Sequence, residues 1–228
     1  MKISGLQKLT LLDFPGRTAC IIFTQGCNFN CPYCHNSKLI GLKENGTIMN
    51  DEVMDFLKSR HNLLDGIVIT GGEPTIQPDL KNFIKSVRAL GYKIKLDTNG
   101  STPKVLENLL KENMLDYVAM DIKTVFSDYE NITKIKDSEK NVQKSIEILN
   151  KSGIPHEYRM TIIKNRHSIK DIIAVCEFIG TKEKLYLQNF EMSDEVRDKT
   201  LESYTKSELT IIQDLIEVIF PNVKVRGI

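Results

Sequence analysis

Apolar positions in this chain follow two patterns that alternate along its length. Short apolar runs that end in turn-forming residues lie at 20–24, 66–70, 93–96, 117–120, 157–163 and 184–187, and each reads as a strand. Between them, apolar residues recur at helical spacing: Val53, Phe56 and Leu57 after Asn50-Asp51-Glu52, then Leu80, Phe83, Ile84, Val87 and Leu90 up to a C-capping Gly91. Thr102 followed by Pro103 predicts the start of a helix carrying Val105, Leu106, Leu109 and Leu110. Further helices are predicted over 141–151 (capped by Gly153), over 169–179, and from a capping box at Thr205 and Glu208 through Val218. Residues 223–225 read as a short last strand, and the polar stretch 127–140 as an elaborated loop.

Strands and helices that alternate at this interval require a parallel sheet with crossover helices. Six full strands and a short seventh are too few to close an eight-stranded barrel. The predicted architecture is α/β: an open, partial (β/α)6 barrel with outer helices, in one domain over residues 1–228. A hydrophobic content of 41% suffices for a core, and a net charge of +1 gives no electrostatic reason to expect nucleic acid or an acidic membrane as partner. There is no signal-peptide pattern and no apolar run of the ~18 residues a span needs, so a cytoplasmic protein is expected. Five cysteines, an odd number, do not suggest a secreted disulfide framework. Cys20 and Cys176 lie alone in apolar runs and read as core.

The other three cysteines, Cys27, Cys31 and Cys34, sit at C-x3-C-x2-C spacing in a loop of turn-forming residues. Buried structural thiols would lie among apolar neighbours; Asn28, Asn30, Pro32, His35 and Asn36 point to a metal instead. Structural zinc normally takes two separated ligand pairs, and no second pair exists. An iron–sulfur cube normally takes four cysteines, so three would leave one iron open. Gly71-Gly72-Glu73-Pro74, Asp97-Thr98-Asn99-Gly100, Asp121-Ile122-Lys123 and Gln188-Asn189 each directly follow a predicted strand. In a parallel α/β sheet those loops emerge on one side and converge on one mouth. There the glycines would let a ligand approach the backbone, and Glu73 offers a carboxylate to a cationic amine. Arg159, flanked by apolar positions, reads either as a paired inward charge or as an outer-face arginine.

The cysteine spacing, with Tyr33 just before the last cysteine, resembles the signature of the radical S-adenosylmethionine (SAM) enzymes. The resemblance implies a 4Fe-4S cluster on Cys27, Cys31 and Cys34, with SAM on the open iron cleaved by one electron to a 5'-deoxyadenosyl radical. It also implies that Gly71, Gly72 and Glu73 meet the SAM amino group, and that Lys123 faces its carboxylate amid Asp97, Thr98 and Asp121, with Asn99 in the same motif; Arg159, read as the inward charge, is a further candidate contact to that carboxylate. In some members a monovalent cation sits between the two aspartates. Tyr33 would pack on the adenine or the cluster, and Gln188 would stand near the ribose. Leu12-Asp13-Phe14-Pro15-Gly16-Arg17, Gln25-Gly26-Cys27 and the short ending at 223–227 are similar to the glycyl-radical-enzyme activases, above all those of anaerobic ribonucleoside-triphosphate reductases. Where pyruvate formate-lyase activases carry a P-Y-H segment, this chain has Gln188-Asn189-Phe190. The implied partners are a glycyl-radical enzyme, here anaerobic ribonucleotide reductase, and a flavodoxin- or ferredoxin-type electron donor. Two rival readings are a radical SAM enzyme acting on a small molecule, like 7-carboxy-7-deazaguanine synthase, and a non-enzymatic iron–sulfur electron carrier. The latter would leave Gly71 to Glu73 and Asp97 to Lys123 without a task.

Overall fold

The computed structural model describes residues 1–41 and 48–226. Its strands form one 8-stranded sheet in the order of the chain. Seven run parallel: β2 (Ala19–Thr24), β3 (Gly66–Gly71), β4 (Lys93–Thr98), β5 (Tyr117–Ile122), β6 (His156–Ile162), β7 (Leu185–Asn189) and β8 (Val223–Arg226). The eighth, β1 (Ile3–Thr10), lies antiparallel on the edge beside β2. Among the described residues β1 and β8 do not pair, so the curled sheet stays an open barrel.

The helices α1 (Asn50–Ser59), α2 (Leu80–Ala89), α3 (Pro103–Lys111), α5 (Ser138–Ser152), α6 (Ile169–Ile179) and α7 (Lys206–Glu217) cover the outer face. Their apolar stripes bury residues such as Leu57, Ile84, Leu109, Ile146, Val175 and Ile212 against the outward residues Ile67, Ile69, Ile94, Leu96, Val118 and Met160. Removing this apolar area from water is the main stabilising term. Cys20 and Cys176 are buried within it, as predicted. The inward face differs. Its far end is plugged by Phe14, Ala19, Ile21 and Val68 with Phe23 and Tyr117, and its near end is polar.

Two expectations change. The strand β1 is not predicted, because only Ile3 and Thr10 at its ends are buried and an edge strand leaves little periodicity to read. The stretch 127–140 is not a loop throughout: it holds the short helix α4 (Tyr129–Thr133) and the first turn of α5. Most of its charged residues face solvent, while Tyr129, Ile132, Thr133 and Ser138 are buried. The helix α1 starts at Asn50, as predicted, with Met49 at the N-cap. Of the predicted ending at 223–227, Gly227 lies outside the described residues. No described helix is long and apolar enough to cross a membrane.

Candidate active site

The mouth of the barrel is a cavity of about 290 Å³ at the carboxyl ends of the strands. Cys27, Cys31, Tyr33 and Cys34 line one side of it. Gly71, Gly72, Glu73, Asp97, Thr98, Asn99, Asp121, Lys123, Arg159 and Gln188 line the rest, so every residue predicted for the site stands at this one cavity.

The cysteine loop is fastened on both flanks. Asn28 Nδ2 donates to Ser101 Oγ at 2.8 Å, and the Asn30 N–H donates to the Thr133 carbonyl at 2.9 Å. The Arg197 guanidinium donates to the carbonyls of Asn30 and Cys31 at 2.9 and 2.8 Å. Cys27 Sγ accepts the Phe29 N–H at 3.4 Å and Asn99 Nδ2 at 3.9 Å, donors that would stabilise a metal-bound thiolate. Without a metal, burial pushes the Cys27 thiol up to about 12 and raises that of Cys31 as well. Among the described residues no three His, Cys, Asp or Glu side chains are grouped to hold a single ion. A cluster, unlike a single ion, takes each thiolate on a separate iron and so needs no such close grouping.

The glycines at the end of β3 are required by the protein itself. Gly71 has φ +112°, and a Cβ on it would strike the Thr24 backbone. A Cβ on Gly72 would overlap the Gly26 carbonyl. Gly72 and Glu73 then donate their N–H groups to the carbonyls of Thr24 and Gly26 at 2.9 and 2.8 Å, seating this loop against the start of the cysteine loop. Glu73 is 1% exposed. Its Oε1 accepts from the Thr75 N–H, the Thr75 hydroxyl and Thr98 Oγ1, and its Oε2 accepts the Asn99 N–H at 2.6 Å. The carboxylate expected to meet an amine is thus already hydrogen-bonded within the protein, and Thr98 and Asn99 are committed to it and to Asn28. Burial raises the Glu73 pKa against the pull of those donors.

Arg159 is resolved as the inward charge. It lies opposite Asp121 across β5 and β6. Its Nε donates to Asp121 Oδ1 at 2.8 Å and its Nη1 to Asp97 Oδ2 at 3.0 Å. Lys123 Nζ bonds Asp121 Oδ2 at 3.1 Å, and Lys95 Nζ bonds Asp97 Oδ1 at 2.5 Å. Each carboxylate oxygen of both aspartates therefore carries one cationic donor from the chain itself. Despite the opposing cost of burial, the Arg159 and Lys123 charges hold the Asp121 carboxyl below its usual range, and Asp121 in turn holds Lys123 above its own. The Tyr33 hydroxyl donates to the Lys123 carbonyl at 2.9 Å, which fixes the aromatic at the cavity wall. Gln188 lines the cavity, whereas Asn189 turns to Tyr204 and Phe190 is buried, its ring stacked on His35 at 5.7 Å.

Sequence reasoning missed Lys95, Arg197 and a role for His35. Lys95 sits at an alternating polar position of a strand, which reads as solvent-facing. Arg197 is distant in sequence from the loop it clamps and has no local signal.

The chain matches the model of the radical SAM superfamily over residues 21–179, a family whose members bind a 4Fe-4S cluster and SAM. A Methanocaldococcus jannaschii protein provisionally named a glycyl-radical enzyme activating enzyme is 32% identical over 99% of this chain and 96% of its own length. The pyruvate formate-lyase-activating enzyme of Clostridium pasteurianum is 27% identical over 91% of this chain and 98% of its own. Among solved structures, Streptococcus suis SuiB bound to SAM superposes with a TM-score of 0.70 at 18% identity. The match covers 89% of this chain but about half (48%) of that longer protein, and is a likeness of fold. The chain therefore belongs to the radical SAM superfamily, and within it to the enzymes that activate glycyl-radical enzymes.

Proposed function

We propose that this protein activates an anaerobic ribonucleoside-triphosphate reductase by removing a hydrogen atom from a glycine of that partner. The reading is carried by one observation: three thiols on one loop and the four polar strand-end clusters share a single cavity. Cys27, Cys31 and Cys34 would hold a 4Fe-4S cluster, leaving one iron for SAM. When bound, the cluster supplies the electron that cleaves SAM and starts the radical chemistry.

The remaining work belongs to the chain. Lys123 and Arg159, partly open to the cavity, attract the SAM carboxylate, and Asp97 and Asp121 fix their positions. Glu73 holds the Gly71-Gly72 loop in register with Thr98 and Asn99, and keeps one acceptor position on Oε2 for the SAM amine. Tyr33 and Gln188 border the nucleoside end. No side chain needs to act as general acid or base, because hydrogen-atom abstraction moves no separate proton. The electron would come from a flavodoxin- or ferredoxin-type donor in the cytoplasm. The Leu12 to Arg17 segment and the Gln188-Asn189-Phe190 departure favour the ribonucleotide reductase over pyruvate formate-lyase as partner.

Anaerobic reconstitution with iron and sulfide, followed by a SAM cleavage assay with a strong reductant, tests the class. Wild type should cleave SAM, and Cys31→Ala should not. Electron paramagnetic resonance then tests the partner: a glycyl doublet should grow on anaerobic ribonucleotide reductase and not on pyruvate formate-lyase. SAM consumption that requires a small molecule and gives no protein radical would refute the assignment.

A further inference from the structure

The ion-pair network under the cavity contains one more positive charge than its carboxylates require. Asp97 and Asp121 would already be balanced by Arg159 and Lys123; Lys95 is the third cation. It cannot touch a ligand, since its side chain is 1% exposed, against 16% for Arg159 and 20% for Lys123. The alternation of β4 puts Lys95 on the same inward face as Asp97, one layer deeper, between Val68 and Tyr117 on the neighbouring strands. Its Nζ bonds Asp97 Oδ1 at 2.5 Å and stands 5.9 Å from the Tyr117 ring centroid. A buried ammonium is costly unless paired, so this one is in place for its effect on Asp97.

We infer that Lys95 is a tethered monovalent cation, a positioning residue that occupies one oxygen of Asp97 so that Arg159 stays bridged to Asp121. The inference rests on the reading that this cavity seats SAM. With Lys95 in place, Asp97 holds Arg159 through its other oxygen only. The guanidinium can then span both aspartates, and Arg159 and Lys123 keep their cavity-facing edges for an anionic group. Without it, Asp97 would have a bare buried oxygen. Arg159 would swing onto Asp97, or a small cation from solution would fill the gap.

The test is Lys95→Met, which preserves the stem to its last carbon and leaves the ammonium's place free. Melting temperature and SAM binding to the anaerobically reconstituted protein are measured in potassium, ammonium and tetramethylammonium chloride at equal ionic strength. Wild type should be indifferent to the cation. In tetramethylammonium, which is too large for the gap, the variant should melt lower and bind SAM roughly tenfold more weakly. Both properties should recover in potassium or ammonium. A variant equal to wild type in every salt overturns the inference, and so does a loss that no cation repairs. Should Lys95→Met not fold, the double variant with Asp97→Asn removes both charges. It must fold and melt alike in the three salts, and failure on either count overturns the inference. Wild type that binds no SAM would sink the reading of the cavity, yet leave the melting comparison intact.

Discussion

At the scale of single residues, the site is built from atoms that must be absent as much as from those present. At Gly72 a side chain would overlap the Gly26 carbonyl, which itself accepts the Glu73 N–H, so the two loops can meet only across a glycine. Gly72→Ala should therefore cost more than about 2 kcal/mol, in the range of overpacked buried positions. It should also weaken SAM binding, because Glu73 and the Thr98-Asn99 pair would shift with it. Gly16 is the control. It has φ +71° but open space around it, so Gly16→Ala should cost only the left-handed penalty of about 1 kcal/mol. Chemical denaturation of both variants decides the matter: equal losses would mean that contact with Gly26 is not what constrains Gly72. The glycines were visible in the sequence, but their purpose was not. A Gly-Gly pair at a strand end looks the same whether a ligand or another loop comes close.

At the scale of elements, strand ends and helix starts were read well wherever local chemistry dictates them. The predicted capping box at Thr205 is formed, and α6 spans the predicted residues behind a second box at Ser168 that the sequence reading did not name. The alternation of β4 and β6 was legible too, but its sense was not. Lys95 and Thr161 look like the wet side of a half-buried sheet and Arg159 could be read either way, yet in a curled sheet that side is the lumen. The turn before α6 gives a prediction of its own. His167 is 1% exposed and its Nδ1 accepts the Ile163 N–H at 3.1 Å, which fixes the neutral ring with its proton on Nε2. Burial lowers its pKa from 6.5 to about 4. The folded state therefore binds fewer protons than the unfolded chain between these values, and stability must rise with pH across that window. The stabilisation is complete above pH 6.5 and lost as pH falls toward 4, amounting to about 3 kcal/mol at most. His167→Asn supplies an acceptor without the titration, and should flatten urea midpoints measured between pH 4.5 and 7. If the slope survives in the variant, another group carries it.

At the scale of the whole molecule, the cysteine loop acts as a tie between distant parts of an open barrel. It joins the end of β2 to Ser101 after β4, to Thr133 at the end of α4, and to Arg197 between β7 and α7. The far ends of the sheet, β1 and β8, are not joined to each other among the described residues, so these ties take over part of the task that barrel closure performs elsewhere. A group that binds only the folded loop stabilises the entire chain by mass action. Removing iron with a chelator should thus lower the melting temperature of the reconstituted protein, and not merely its activity. Arg197→Ala isolates the contribution of the tie. Arg197 is exposed and contacts the loop through backbone carbonyls and Asn30, so its loss leaves the core intact. Far-UV circular dichroism should stay that of wild type, while iron retained per chain after desalting falls and the melting shift on chelation shrinks. Unchanged iron retention would mean that the thiols are held by the end of β2 and the Gly71-Gly72 seat alone, with the late segment merely resting against them.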